Sequence, residues 1–168
     1  MITPYPHQVE LADKVMVVLR QYGVAYLASE ERTGKTLAAI LAAESSLAER
    51  VLVITKKKAL SGWIDTLANF PHNKLYLVTN FHQVHKTSFK PDMVIIDEAH
   101  NYISGYPKKS TMFGTVRALC AGLPVLLLSA TPRPQGTQQL CLGVADRSRT
   151  GKPAHMALTV PNMADFLG

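Results

Sequence analysis

The chain has 168 residues, 47% of them hydrophobic and 18% charged, with a formal net charge of +6. That length suits one domain able to bury about 70% of the surface its unfolded form exposes, so it needs no disulfide or metal staple to fold. No apolar stretch approaches the ~20 residues needed to span a bilayer, and Met1-Ile2-Thr3-Pro4-Tyr5 has no basic region or long apolar core, so we expect no membrane partner and a cytoplasmic location.

Residues 7–21 place Val9, Ala12, Val15, Met16 and Leu19 at helical spacing behind Pro6, a first-turn residue, which predicts an opening helix. The apolar run 24–28 then predicts a strand. Thr36 to about Leu47, rich in Ala and Leu, predicts the next helix. Further strand-length runs follow at 51–54, 75–78, 93–96 and 125–128, with helices expected over 59–69 and 111–121, the latter carrying Val116, Leu119 and Cys120. These runs are continuous rather than alternating, as in strands covered on both faces, and the fold class expected is α/β with a mostly parallel, doubly wound sheet. After Pro134 the composition shifts to Gly, Gln, Arg, Pro and Thr, so residues 1–134 are expected to form the domain and 135–168 a weakly structured or docked tail. Cys120 and Cys141 lack metal-ligand spacing and a secreted context, which predicts two free thiols.

The chemistry lies where two strands end. Gly34-Lys35-Thr36 sits between the 24–28 strand and the Ala/Leu-rich helix. There Gly34 allows close backbone approach to a phosphate, Lys35 reaches the outer phosphates and the Thr36 hydroxyl can ligate magnesium. The full phosphate-loop pattern asks for glycine where Ser29 stands. Asp97-Glu98-Ala99-His100 closes the 93–96 strand: Asp97 is expected to bind magnesium, and Glu98 to position or activate water. The pair implies an ATP and Mg2+ site, with Lys35, Asp97 and Glu98 catalytic.

Ser129-Ala130-Thr131, at the end of the last strand, places hydroxyls beside that crevice, although a turn ending in Pro132 is the plainer alternative. His100 either joins the site to a partner surface or bonds backbone at a helix start. A second Arg-Thr-Gly-Lys, at 149–152, ends in Pro153, which supplies no hydroxyl and follows no strand, so it is expected to be a basic turn. Lys56-Lys57-Lys58 directly follows the 51–54 run, and Lys86, Lys90, Lys108 and Lys109 lie in segments resembling loops. Carboxyl ends of strands are where an open sheet binds ligands, so these lysines suit a polyanion, against the alternative of a generic solvated surface.

In this order the segments resemble the first RecA-like domain of superfamily 2 helicases and translocases, of the P-loop NTPase class, over residues 4–134. Tyr5-Pro6-His7-Gln8 is similar to the family's adenine-reading motif, which implies that role for Gln8. Glu30-Glu31-Arg32-Thr33-Gly34-Lys35-Thr36 resembles motif I (Walker A) of Swi/Snf-type and phage helicases, some of which also lack the first glycine, and implies that Arg32 and Thr33 join Gly34, Lys35 and Thr36 at the nucleotide. Glu31 in place of methionine departs from that pattern.

The 51–63 segment looks like motif Ia, implying nucleic-acid contacts for Thr55, Lys56 and Lys57. Val78-Thr79-Asn80-Phe81 is similar to the short segment before the Asp-Glu strand in Swi/Snf-type proteins. Asp97-Glu98-Ala99-His100 resembles motif II (the DEAH box), and Ser129-Ala130-Thr131 resembles motif III, which couples hydrolysis to movement and so implies a coupling role for these three and His100.

The resemblance implies a nucleic-acid partner, DNA in preference to RNA, and a viral origin would place the protein in the host cytoplasm. Family members hydrolyse ATP between two RecA-like domains, and the second supplies arginines; residues 135–168 are too short for it. The expectation is therefore the ATP-binding half of a motor, feeble alone and completed by a second RecA-like domain on another polypeptide. The alternatives are a non-enzymatic nucleotide- or nucleic-acid-binding regulator and a small-molecule kinase, the latter disfavoured by Gln8 and by Ser-Ala-Thr after the last strand.

Overall fold

Each of the five apolar runs becomes a strand, and their side chains alternate between two separate cores. The computed structural model describes residues 2–28, 34–98 and 111–129. Its strands are β1 (Val24–Ala28), β2 (Arg50–Thr55), β3 (Leu75–Asn80), β4 (Met93–Asp97) and β5 (Val125–Ser129). They form one all-parallel sheet in the order β1-β5-β4-β2-β3. The helices are α1 (Pro6–Tyr22), α2 (Lys35–Ser45), α3 (Leu60–Asn69) and α4 (Thr111–Cys120), with short 3-10 turns at Lys57–Ala59 and Val84–Lys86.

One face of the sheet offers Ala25, Leu27, Val51, Val53, Met93, Ile95, Leu126 and Leu128 to α1, α2 and Trp63 of α3. The other offers Val24, Tyr26, Leu52, Ile54, Val94, Ile96, Val125 and Leu127 to Phe81, Val84 and the Val116–Cys120 stripe of α4. Helices thus cover both faces, as continuous apolar strands require. Burying one such Leu or Ile side chain contributes about 1.5–3 kcal/mol. Burial also pushes the Cys120 thiol up to about 12. It raises Tyr76 as well, reinforced by the hydrogen bond the Tyr76 hydroxyl donates to Glu44 Oε1 at 2.8 Å, which ties α2 to β3.

Local chemistry sets the helix limits. α1 ends at Gly23, whose φ of 80° lets its N–H reach the Leu19 carbonyl at 2.8 Å. The buried stripe of α1 is Gln8, Leu11, Ala12, Val15, Met16 and Leu19, whereas Val9 is exposed, a correction to the expected face. Gln8 takes the position given to Val9 because its amide packs on the turn before α2. α2 stops at Ser45, short of the expected Leu47. Ser46 turns extended, its hydroxyl donates to Ala43 O at 2.6 Å and accepts from the Ala48 N–H at 3.2 Å, and Leu47 is left in solvent.

The register aligns the carboxyl ends of the strands. Thr55 lies opposite Asn80, Asp97 opposite Leu128, and Ala28 opposite Ser129. The chain leaving β1 enters α2 on one face, and the chain leaving β4 returns through α4 on the other. The carboxyl edge is the place where open α/β sheets hold ligands.

Candidate nucleotide and magnesium site

Gly34 caps α2 with φ 77° and ψ 25°. A Cβ there would run into Gln8 Nε2, so both the conformation and the space require glycine. Gln8 Oε1 accepts the Tyr5 N–H at 2.8 Å and its Nε2 donates to the Gly34 carbonyl at 3.3 Å. The start of α1 is thereby fastened to the turn that opens α2. Each end of the Gln8 amide keeps further hydrogen-bonding capacity, although the side chain is buried. The first backbone N–H groups of α2 point out of its N-terminus, an arrangement that suits an anion.

Lys35, the first residue of α2, reaches the end of β4. Its Nζ lies 3.5 Å from Glu98 Oε1, and each side chain is 12% exposed. Lys35 Nζ has no hydrogen-bond partner among the described residues. Glu98 has φ 57°, a left-handed backbone for a residue that gains nothing from it, while its N–H donates to Leu128 O at 3.0 Å. The sheet ladder thus holds Glu98 in a conformation that costs about 1–2 kcal/mol, a kind of strain found at functional sites.

Asp97 is buried and its two oxygens differ. Oδ2 accepts the Thr55 hydroxyl at 3.2 Å and the Trp63 indole N–H at 3.0 Å. Oδ1 is buried with no hydrogen-bond partner among the described residues. Such an oxygen carries a desolvation cost of about 1–3 kcal/mol unless something binds it, and a hard cation is a suitable binder. Among the described residues there is no group of three His, Cys, Asp or Glu that could hold a metal ion. Magnesium keeps waters and phosphate oxygens and takes only one or two protein ligands. Asp97 Oδ1 and the Thr36 hydroxyl are donors of the right kind.

The structure brings Gln8, Gly34, Lys35, Asp97 and Glu98 together, with Thr36 on the opening turn of α2. Ser129 ends β5 buried, opposite Ala28 and one residue beyond the partner of Asp97. Thr55 requires a correction. Its side chain is fully buried with its hydroxyl on Asp97, so it does not face a nucleic-acid backbone. Lys56 is half-buried and Lys57 and Lys58 are exposed at the 3-10 turn, so the basic surface of this segment begins after Thr55. Arg32, Thr33, His100, Ala130 and Thr131 lie outside the described residues, as do Lys108, Lys109 and the tail 135–168. Trp63 was missed from sequence. Its place on a predicted helix just after the basic segment was visible, but nothing local says where an indole N–H will point.

No family model matches the chain. It is 30% identical, over 165 aligned positions taking in 77% of this chain and 27% of the relative, to the uncharacterized ATP-dependent helicase YqhH of Bacillus subtilis (strain 168). The chain therefore spans about a quarter of that relative's length. Among solved structures it resembles a nuclease-deletion mutant of the Type ISP restriction-modification enzyme LlaGI in complex with a DNA substrate mimic. The TM-score is 0.48 at 16% identity, covering 79% of this chain and 18% of that one. The sequence likeness supports a helicase-like domain.

Proposed function

We infer that the chain is the ATP-binding motor domain of a superfamily 2 DNA helicase or translocase, hydrolysing ATP to ADP and phosphate in response to nucleic acid. The observation that carries this is a pair of buried polar atoms with no hydrogen-bond partner among the described residues, Lys35 Nζ, ion-paired with Glu98, and Asp97 Oδ1, at the carboxyl edge of the sheet. A folded protein leaves few such atoms without a purpose. The likeness to a protein described as an ATP-dependent helicase supports ATP as the nucleotide.

Bound magnesium would supply charge neutralisation at the phosphates. The chain's own residues do the rest. Gly34 and the N-terminus of α2 offer backbone N–H groups, and Lys35 turns its ammonium from Glu98 to the outer phosphates. Thr36 and Asp97 would hold the metal. Glu98, released from Lys35, orients the attacking water and takes its proton, while Gln8 reads the adenine edge or secures the turn beneath it. Arg32 and Thr33 line the same turn; His100, Ser129, Ala130 and Thr131 transmit the state of the γ-phosphate. Lys56, Lys57 and Lys58 meet the DNA backbone. Transition-state arginines would come from a second RecA-like unit, on a longer form of this polypeptide or on another one, a contribution on the order of 10³–10⁵ in rate.

Steady-state ATP turnover, measured with and without DNA and against Glu98→Gln, tests the reading. Turnover is expected to rise with DNA and to fall about 10²–10⁴-fold in the variant, the usual contribution of a positioned acid or base. ATP binding with equal, DNA-independent turnover in both proteins would make the domain a non-enzymatic nucleotide-binding regulator.

A further inference from the structure

Trp63 and Thr55 bracket the basic turn, and both donate to one oxygen of Asp97. Thr55 is the last residue of β2, Trp63 lies in the first turn of α3, and Lys56–Lys58 stand between them. The Trp63 indole reaches Asp97 Oδ2 at 3.0 Å and the Thr55 hydroxyl reaches it at 3.2 Å. Trp63 is 2% exposed and Thr55 0%, so neither donor is on the surface to meet a ligand itself. Two donors on Oδ2 fix the carboxylate plane and leave Oδ1 as the oxygen without a hydrogen-bond partner among the described residues.

The turn and the helix move together. Lys57–Ala59 is a 3-10 turn that runs into α3 through Leu60, whose φ −55° and ψ −48° are helical. A force on Lys57 or Lys58 is thus carried along a continuous helical segment to the Trp63 ring. Because that ring is packed among the sheet, α1 and α2 core residues, it cannot swing independently of its helix.

We propose that Trp63 and Thr55 are positioning residues that couple the basic turn to the magnesium carboxylate, so that a nucleic-acid backbone on Lys56–Lys58 and magnesium-nucleotide at Asp97 raise one another's affinity. The reciprocity follows from linkage. The inference rests on the reading of Asp97 as the magnesium carboxylate. It identifies the buried link through which nucleic acid on one loop reaches the metal oxygen, and it explains why a polar indole edge is buried against a carboxylate in an otherwise apolar core.

The chain has one tryptophan, which makes Trp63 its own reporter. In the parent, its emission should shift when magnesium is added to protein holding a non-hydrolysable ATP analogue, and shift again with a short DNA duplex. Replacing all three of Lys56, Lys57 and Lys58 by alanine should abolish only the second shift. Trp63→Phe keeps an aromatic ring without the N–H, and Thr55→Val keeps the shape without the hydroxyl.

In both variants the analogue should bind as in the parent without magnesium. The gain in affinity on adding magnesium should shrink about tenfold, the scale of one hydrogen bond to a charged group, and DNA should no longer enhance it. Thr55→Val serves on its own if Trp63→Phe fails to fold. Parent-like magnesium and DNA enhancement in the variants would overturn the coupling while leaving the site intact. A parent whose nucleotide affinity ignores magnesium would overturn the reading of Asp97 and the coupling with it.

Discussion

Asp92 and Asp97 bracket β4, and the strand's two ends treat their carboxylates in opposite ways. At the entry, exposed Asp92 accepts the N–H groups of Glu49 and Arg50 on one oxygen at 3.1 and 3.0 Å, tying β4 to the start of β2. Arg50 beside it lies 4.7 Å above the Phe89 ring. These polar groups are engaged with the protein. At the exit, Asp97 is buried with one oxygen held twice and the other without a partner, Lys35 Nζ likewise lacks a hydrogen-bond partner among the described residues, and Glu98 has a left-handed backbone. The entry carboxylate thus closes a structure, whereas the exit carboxylate keeps one oxygen without a hydrogen-bond partner among the described residues. Unsatisfied buried polarity combined with local strain separates the two better than residue type does.

Gly34→Ala should give the largest disturbance at the exit end. A φ of 77° costs alanine about 1–2 kcal/mol before Gln8 is displaced, so Tm should fall by roughly 2–8 °C and nucleotide affinity should fall with it. Unchanged melting and binding would mean that the turn does not need its left-handed glycine.

A smaller and sharper contrast comes from the two aspartates. Asp97→Asn should abolish the magnesium-dependent gain in nucleotide affinity and leave Tm equal or higher, since it removes a buried charge whose Oδ1 has no hydrogen-bond partner among the described residues. Asp92→Ala should cost about 1 kcal/mol in denaturant unfolding and leave nucleotide affinity alone. The opposite pattern, with Asp92 controlling binding and Asp97 only stability, would reverse the roles given to the two carboxylates.

Most of the sheet was legible because four of its strands are buried on both faces and the edge strand β3 is apolar though only half-buried, so hydrophobicity alone marked 24–28, 51–54, 75–78, 93–96 and 125–128. The strands extend beyond those limits at polar residues, Arg50, Thr55, Thr79, Asn80, Asp97 and Ser129. Five of the six extend their strands at the carboxyl end. The phosphate turn and the Asp-Glu pair were legible for a related reason, since their chemistry is local: a strand, a glycine, a charged residue, a helix.

The grip on Asp97 was not legible. Thr55 and Trp63 meet it across sequence separations of 42 and 34 residues, and only the β2–β4 pairing and the docking of α3 bring them there. The same limitation misassigned Thr55 to the surface and Val9 to the core. In each case the choice between facing in and facing out was made by a tertiary partner, Asp97 for Thr55 and the Gly34 turn for Gln8.

Lys35 is expected to leave Glu98 for a triphosphate. Isothermal titration of ATP with excess magnesium into the parent and into Lys35→Ala tests it most directly. The expected result is binding by the parent and an affinity about 10–100-fold weaker in the variant, as the loss of one hydrogen-bonded charge implies. Equal affinity in the two proteins would contradict the account and remove the Gly34-Lys35-Thr36 turn from any role at the nucleotide.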